Sequence, residues 1–340
     1  MRTTRVLWLT LGLAVLAGLG TAAQTGQPSP PPWAYPRNPA PAPPPAAPVA
    51  PVAGLDGVHT VPGSSKSLSL RQIRDAFNIA DWHPEGHPPM PEIIARGRKP
   101  DVRACGYCHY PNGKGRPENA GLAGLPAAYI IQQMADIKSG ARKSSDPLMT
   151  PPNLMVAVAK AVNDDDIRTA AEYFASLKWT PWVKVVESAT VARFTVVGGM
   201  AVPTTGSGAG TEPLGQRIIE LPNDGERAEV LRDDAASFTA YVPIGSVKKG
   251  EMLATTGGDG KTMACGTCHG PKLEGLGPFP PLAGRSPTYT VRQLFDMQQG
   301  NRNGPGAALM KPVVANLTID DMINLSAYAA SLGPQEGATR

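Results

Sequence analysis

The sequence predicts a mainly α-helical protein, built as two tandem helical domains joined by a small β-rich insertion. Three observations carry that prediction. The chain aligns with itself at an offset of 160 residues, Cys105 falling on Cys265. Each copy closes on a segment whose apolar residues recur at helical spacing, Ile167, Ala170, Ala171, Phe174 and Leu177 in the first. Between the copies, 180–245 has no helical period and is rich in β-branched residues, as in 183–202, Arg217-Ile218-Ile219 and Phe238-Thr239-Ala240-Tyr241-Val242, with Gly and Pro between.

Taken in order, the chain opens with Arg2 and Arg5, an apolar run from Val6 to Gly20, and the small residues Thr21-Ala22-Ala23. That pattern is a Sec-type signal peptide over 1–23, cut after Ala23, and it implies export to the periplasm. The run is short for a membrane span, which needs ~20 apolar residues; an uncleaved signal anchor, holding the protein near a membrane, is the alternative. Residues 24–54 form a Pro/Ala-rich linker with Pro30-Pro31-Pro32 and Pro43-Pro44-Pro45, read as a semi-rigid polyproline-type spacer or a leader without a role. An N-terminal extension follows at 55–87. The two domains are 88–179 and 246–333, and 334–340 is a C-terminal tail.

The domains carry the chemistry. Cys105-Gly106-Tyr107-Cys108-His109 and Cys265-Gly266-Thr267-Cys268-His269 use all four cysteines and put a histidine directly after each pair. C-x-x-C-H is the pattern of covalent c-type haem attachment: two thiols one turn apart add to the vinyl groups of one haem edge, and the histidine lies under the iron. Zinc ribbons and dithiol redox motifs leave the paired histidines unexplained. Two covalently bound haem c groups are therefore expected, and no cysteine is left for a disulfide.

The repeat continues past the motif. Leu122-Ala123-Gly124 falls on Leu282-Ala283-Gly284, Tyr129 on Tyr289, Gln133 on Gln293, Asp136 on Asp296, and Arg142 on Arg302. Beyond Arg142 the offset drops to 155, bringing Met155 onto Met310 and Tyr173 onto Tyr328. The last helices start at a capping-box pattern, Thr318 with Asp321, and at Asn163 or Asp164. The second axial ligands follow from the repeat. His59, His83 and His87 precede the first motif and no histidine lies between His109 and His269, whereas Met155 and Met310 match in position. Iron ligation is therefore assigned to His109 with Met155 and to His269 with Met310, with unmatched Met149 as the rival in the first unit. Pro84 and Gly86 break any helix that would align His83 and His87 for a metal, so that segment is read as a surface loop or as placing a histidine near haem propionates.

Formal charge is +4, from 32 basic and 28 acidic residues, and nothing in its distribution points to a nucleic-acid partner.

On these residues each unit resembles a class I cytochrome c, and the pair resembles the dihaem cytochrome c4 type. The resemblance rests on C-x-x-C-H, on Leu-Ala-Gly followed by Tyr129 or Tyr289 and Gln133 or Gln293, on Gly-x-Arg at 140–142 and 300–302, and on the Met before a final helix holding Tyr173 or Tyr328. It implies haem units packed with their propionate edges facing, with Tyr129, Tyr289, Gln133, Gln293, Arg142 and Arg302 near the propionates. It also implies that the carbonyl of Pro280 holds the ligand histidine's free N–H. The first unit departs there, having Ala120. The second departure is the insertion, expected as a hairpin or three-stranded sheet docked on the haem units. The implied function is transfer of single electrons between a dehydrogenase or quinol-oxidising, cytochrome bc1-type complex and a terminal oxidase or reductase. Redox proteins are then the partners and no small-molecule substrate is expected. The alternatives are a cytochrome subunit of a periplasmic dehydrogenase and a dihaem peroxidase-type enzyme. The latter calls for a histidine ligand after the first motif, which this sequence lacks there.

Overall fold

The computed structural model describes residues 28–38 and 54–333. The signal-peptide segment 1–23, the middle of the linker and the tail lie outside the described residues. The N-terminal extension forms a two-stranded ribbon, β1 (Val58–His59) with β2 (Leu68–Ser69), and a short helix, α1 (Leu70–Ile73). The first unit contains α2 (Glu92–Ala95), α3 (Cys105–His109), α4 (Ala127–Ser139), α5 (Thr150–Ala161) and α6 (Asp164–Ser176).

The insertion holds β3 (Val183–Glu187), β4 (Thr190–Ala192), β5 (Phe194–Val197), β6 (Met200–Pro203), β7 (Thr211–Pro213), β8 (Ile219–Pro222) and β9 (Phe238–Val242). The second unit follows with α7 (Ser246–Thr256), α8 (Gly266–His269), α9 (Pro287–Gln298), α10 (Lys311–Val314) and α11 (Ile319–Ser331).

The closing helices start where side-chain chemistry places them. The Asn163 side chain accepts from the Asp166 N–H, and Asp164, Asp165 and Asp166 put negative charge on the positive end of α6. Thr318 and Asp321 form a complete capping box on α11. Ile167, Ala170, Ala171 and Phe174 then form the buried face of α6.

The halves differ at their first helix. Residues 246–256 form α7, but the matching 86–96 contain Pro88, Pro89 and Pro91, and only the four-residue α2 survives. In the second unit α7 crosses α11 so closely that a Cβ at Gly250 would lie 1.9 Å from the Asn324 carbonyl oxygen. In the first unit the extension takes up part of the lost packing. The Ala104 N–H donates to the Ala76 carbonyl at 2.9 Å, and Val61, Ile73 and Trp82 form a cluster with Leu231 of the insertion.

The insertion is a three-stranded sheet of order β3-β9-β8, with β9 central, parallel to β3 and antiparallel to β8. Two separate antiparallel ribbons, β4 with β7 and β5 with β6, complete the insertion. The sheet shares one core with the second unit: Trp182, Val183, Phe238, Ala240 and Val242 pack with Leu253, Phe295, Met322 and Leu325. Glu187 accepts from the Val247 N–H at the start of α7. At the start of α9, buried Glu220 accepts from the Ser286 hydroxyl at 2.7 Å and from the Thr288 N–H at 2.8 Å. On the other side, Arg232 stacks on the Tyr107 ring at 4.2 Å and donates to the Tyr107 carbonyl. The insertion thus clamps both units.

The linker departs from its expectation as a spacer. Residues 28–38 are docked, with Ala34 and Tyr35 buried in the main core. The Tyr35 hydroxyl donates to Asp296 at 2.7 Å, the Arg292 guanidinium donates to the Ala34 carbonyl at 2.8 Å, and Arg37 pairs with Asp146. Two aromatic rings, Trp33 and Tyr35, give this stretch apolar area that a proline-alanine run otherwise lacks.

Candidate functional site: one cleft shared by two attachment motifs

Both C-x-x-C-H motifs open onto a single cleft of about 1210 Å³. In the first unit α3 is barely more than one turn, which sets Cys105, Cys108 and His109 against the cleft; Cys265, Cys268 and His269 do the same across it. His109 Nδ1 lies 2.8 Å from the Ala120 carbonyl, and His269 Nδ1 lies 2.8 Å from that of Pro280. A carbonyl only accepts, so Nδ1 carries the proton in both rings and Nε2 keeps its lone pair. Burial pushes both imidazoles below their ordinary pKa and so keeps them neutral, the form that binds iron. Ala120 therefore replaces the expected proline without loss of the bond.

Burial also pushes the Cys105 thiol up to about 12 and raises Cys108 and Cys265. Thiols held protonated are poor exchange nucleophiles, which disfavours dithiol exchange at Cys105 and Cys108. Two thiols and a neutral imidazole at each end of an apolar cleft fit a covalently attached haem.

Met155, within α5, and Met310, capping α10, both line the cleft. Met149 does not line it. That residue is fully buried in the main core with Tyr35 and Phe295.

The six side chains expected near the propionates meet between the units. Arg142 donates to Gln133 at 2.9 Å in its own unit, and to Tyr289 at 2.7 Å and Gln293 at 2.9 Å in the other. Arg302 mirrors it, donating to Gln293 at 3.1 Å, Tyr129 at 2.6 Å and Gln133 at 2.9 Å. All six line the cleft. The backbones of Arg142 and Arg302 form an antiparallel bridge, flanked by Lys143 N–H to Asn301 and Asn303 N–H to Ala141, both at 2.7 Å. Burial raises the Tyr289 hydroxyl, but the two guanidiniums outweigh it and hold the group below its usual range.

Sequence reasoning missed two further clamps. Arg285 donates to the Gly121 and Ala123 carbonyls at 2.8 and 2.9 Å and stacks on Trp179, and Arg292 donates to the Pro117 carbonyl at 2.6 Å. A signal existed for the first: Arg285 follows the matched Leu-Ala-Gly where the first unit has Leu125.

Two attachment motifs facing one cleft define a protein built to hold a pair of c-type haems within reach of each other. Residues 248–333 match the family described as "Cytochrome c". The chain is 37% identical over 75 residues to cytochrome c-554(548) of Halomonas halodenitrificans, covering 22% of this chain and 90% of that protein. It is 27% identical over 237 residues to cytochrome c4 of Stutzerimonas stutzeri, covering 68% of this chain and 85% of the relative. It is 26% identical over 245 residues to the thiosulfate dehydrogenase electron acceptor of Stutzerimonas stutzeri strain A1501, covering 71% and 84%. The chain belongs to the cytochrome c family, as a dihaem cytochrome of the c4 type, an electron carrier with two covalently bound haem c groups.

Proposed function

We propose that this protein is a periplasmic carrier that takes single electrons from a dehydrogenase or a cytochrome bc1-type complex and passes them to a terminal oxidase or reductase, through irons held by His109 with Met155 and by His269 with Met310. One observation carries the reading: both motifs and both position-matched methionines line one cleft. When bound, haem c supplies an iron that changes oxidation state by one electron.

The chain's own residues do the rest. The thiols of Cys105, Cys108, Cys265 and Cys268 would hold the two haem groups covalently. The carbonyls of Ala120 and Pro280 lock the imidazoles in one tautomer and orientation, and such outer contacts tune a metal's ligands. Met155 and Met310 would each supply a thioether as second ligand to a bound haem, a ligand type that raises the potential. Arg142 and Arg302, aligned at the seam, supply positive charge where the propionates are expected. The signal-like N-terminus supports export. Among the described residues no helix is long and apolar enough to cross a membrane.

The relative named as a thiosulfate dehydrogenase electron acceptor favours a dehydrogenase as donor, and with it the reading of this chain as a cytochrome subunit. The far-red band of the oxidised, haem-loaded protein, which reports iron–thioether bonding, tests the ligand set. Met155→Ala and Met310→Ala are each expected to lose about half of it. A high-spin wild type, or a band indifferent to one substitution, overturns the assignment.

A further inference from the structure

Outside the cleft, His83, Asp233 and Asp234 come together so that one ligand-capable atom of each lies within 4.8 Å of the others. His83 belongs to the N-terminal extension and the aspartates to the insertion. Asp233 is fully buried and its oxygens are engaged: Oδ2 accepts from Arg227 Nε at 2.8 Å, while Oδ1 accepts from the Ala235 N–H at 2.9 Å and faces His83 Nε2 at 2.9 Å. Asp234 differs. It is 4% exposed, and its Oδ1 is buried without a hydrogen-bond partner.

A buried carboxylate oxygen lacking any donor is costly, and three routes relieve it: a proton, a water or a cation. Charge selects among them. Asp81 acts on Asp234 electrostatically and Glu85 lies 3.8 Å from His83 Nδ1, so four carboxylates face the cations Arg227 and Lys114 and two imidazoles, His83 and His87, the latter 3.2 Å from Asp81. With both imidazoles neutral, four negative charges meet two positive ones, and the cluster is short of positive charge.

We propose that His83, Asp233 and Asp234 bind one divalent first-row transition cation of the zinc type, with water completing the shell. One imidazole and two carboxylates suit such an ion, whereas calcium takes six to eight oxygens. Bonds of about 2.0–2.2 Å put tetrahedral donors roughly 3.3–3.6 Å apart, so donors now within 4.8 Å of one another would close in by up to about 1.2–1.5 Å on binding. The His83 side chain, 14% exposed, leaves a path from solvent. The ion would pin the extension to the insertion beside the first motif, where Asn112 donates to the Asp234 carbonyl at 2.8 Å and Trp82 Nε1 to that of Leu231 at 2.8 Å.

The test uses the untagged, haem-loaded full chain, stripped with chelator and titrated calorimetrically with Zn²⁺ alone, beside Asp234→Asn and His83→Gln. Asp234→Asn removes a buried charge and is expected to fold without an ion. The expected result is one Zn²⁺ per chain in the wild type, with a raised melting temperature, at least tenfold weaker binding in both variants, and an unchanged haem spectrum throughout. Absence of stoichiometric binding, equal binding by Asp234→Asn, or displacement of Zn²⁺ by Ca²⁺ at similar concentration overturns it.

Discussion

Gly250→Ala sets two effects of opposite sign against each other at one atom. Helix propensity alone favours Ala over Gly by about 1 kcal/mol. The crossing of α7 and α11 opposes it, because the new methyl would lie 1.9 Å from the Asn324 carbonyl oxygen and 2.8 Å from Tyr328 Cβ. Ordinary contact begins at 3.4 Å, so α7 must retreat by roughly 1.5 Å, and the obstacle is backbone that cannot rotate away. Overpacking of this kind costs typically about 1–3 kcal/mol, and a backbone clash belongs at the upper end.

The net expectation is a loss of about 2 kcal/mol, or a melting temperature lower by some 4–8 °C. The damage should be local. α7 leads to the second motif, where the Cys265 N–H donates to the Ala254 carbonyl at 2.8 Å, so the second haem's optical and redox signals should shift while those of the first hold. Thermal unfolding of the haem-loaded protein, followed by circular dichroism and Soret absorbance, measures both. A melting temperature equal to or above wild type would refute the reasoning, since propensity would then have won.

Three further outcomes are expected. Tyr35→Phe removes a donor from the buried Asp296 carboxylate, leaving it the backbone and side chain of Ser145, and should lower stability in urea by about 1.5–3 kcal/mol; no change would mean that 28–38 is not docked in solution. Met149→Ala should cost about 2–5 kcal/mol as a core cavity yet keep the whole far-red band, the reverse of Met155→Ala, with loss of half the band as the contrary result. Burial raises Asp321, but Lys261 and Thr318 outweigh it and hold the carboxyl below its ordinary range. The contribution is therefore present above the ordinary carboxylate pKa and is lost as pH falls through the lower folded value, so Asp321→Asn should flatten the acid limb of a stability–pH curve by at most about 1 kcal/mol.

The parts legible in the sequence were those written locally or twice. The motifs, the caps at Asn163 and Thr318, and the six seam residues each follow from a short pattern or from a match between copies. Other features depend on distant partners. The parallel pairing of Val183–Glu187 with Phe238–Val242 joins strands separated by the rest of the insertion, and nothing at either end specifies it. Tyr35 was hidden by its prolines. Asp233 and Asp234 approach His83 only because the insertion folds back onto the extension, so breaking the local helix around Pro84 said nothing about them.

The crossed bonds of Arg142 and Arg302 tie the two halves to each other reciprocally, as a two-fold seam does. Each half furnishes a guanidinium to the other's wall, so a half cut free would keep its attachment motif and its own Arg, Gln and Tyr but lose the crossing bonds. A change of register in one seam loop would therefore have to be matched in the other for the crossed bonds to survive.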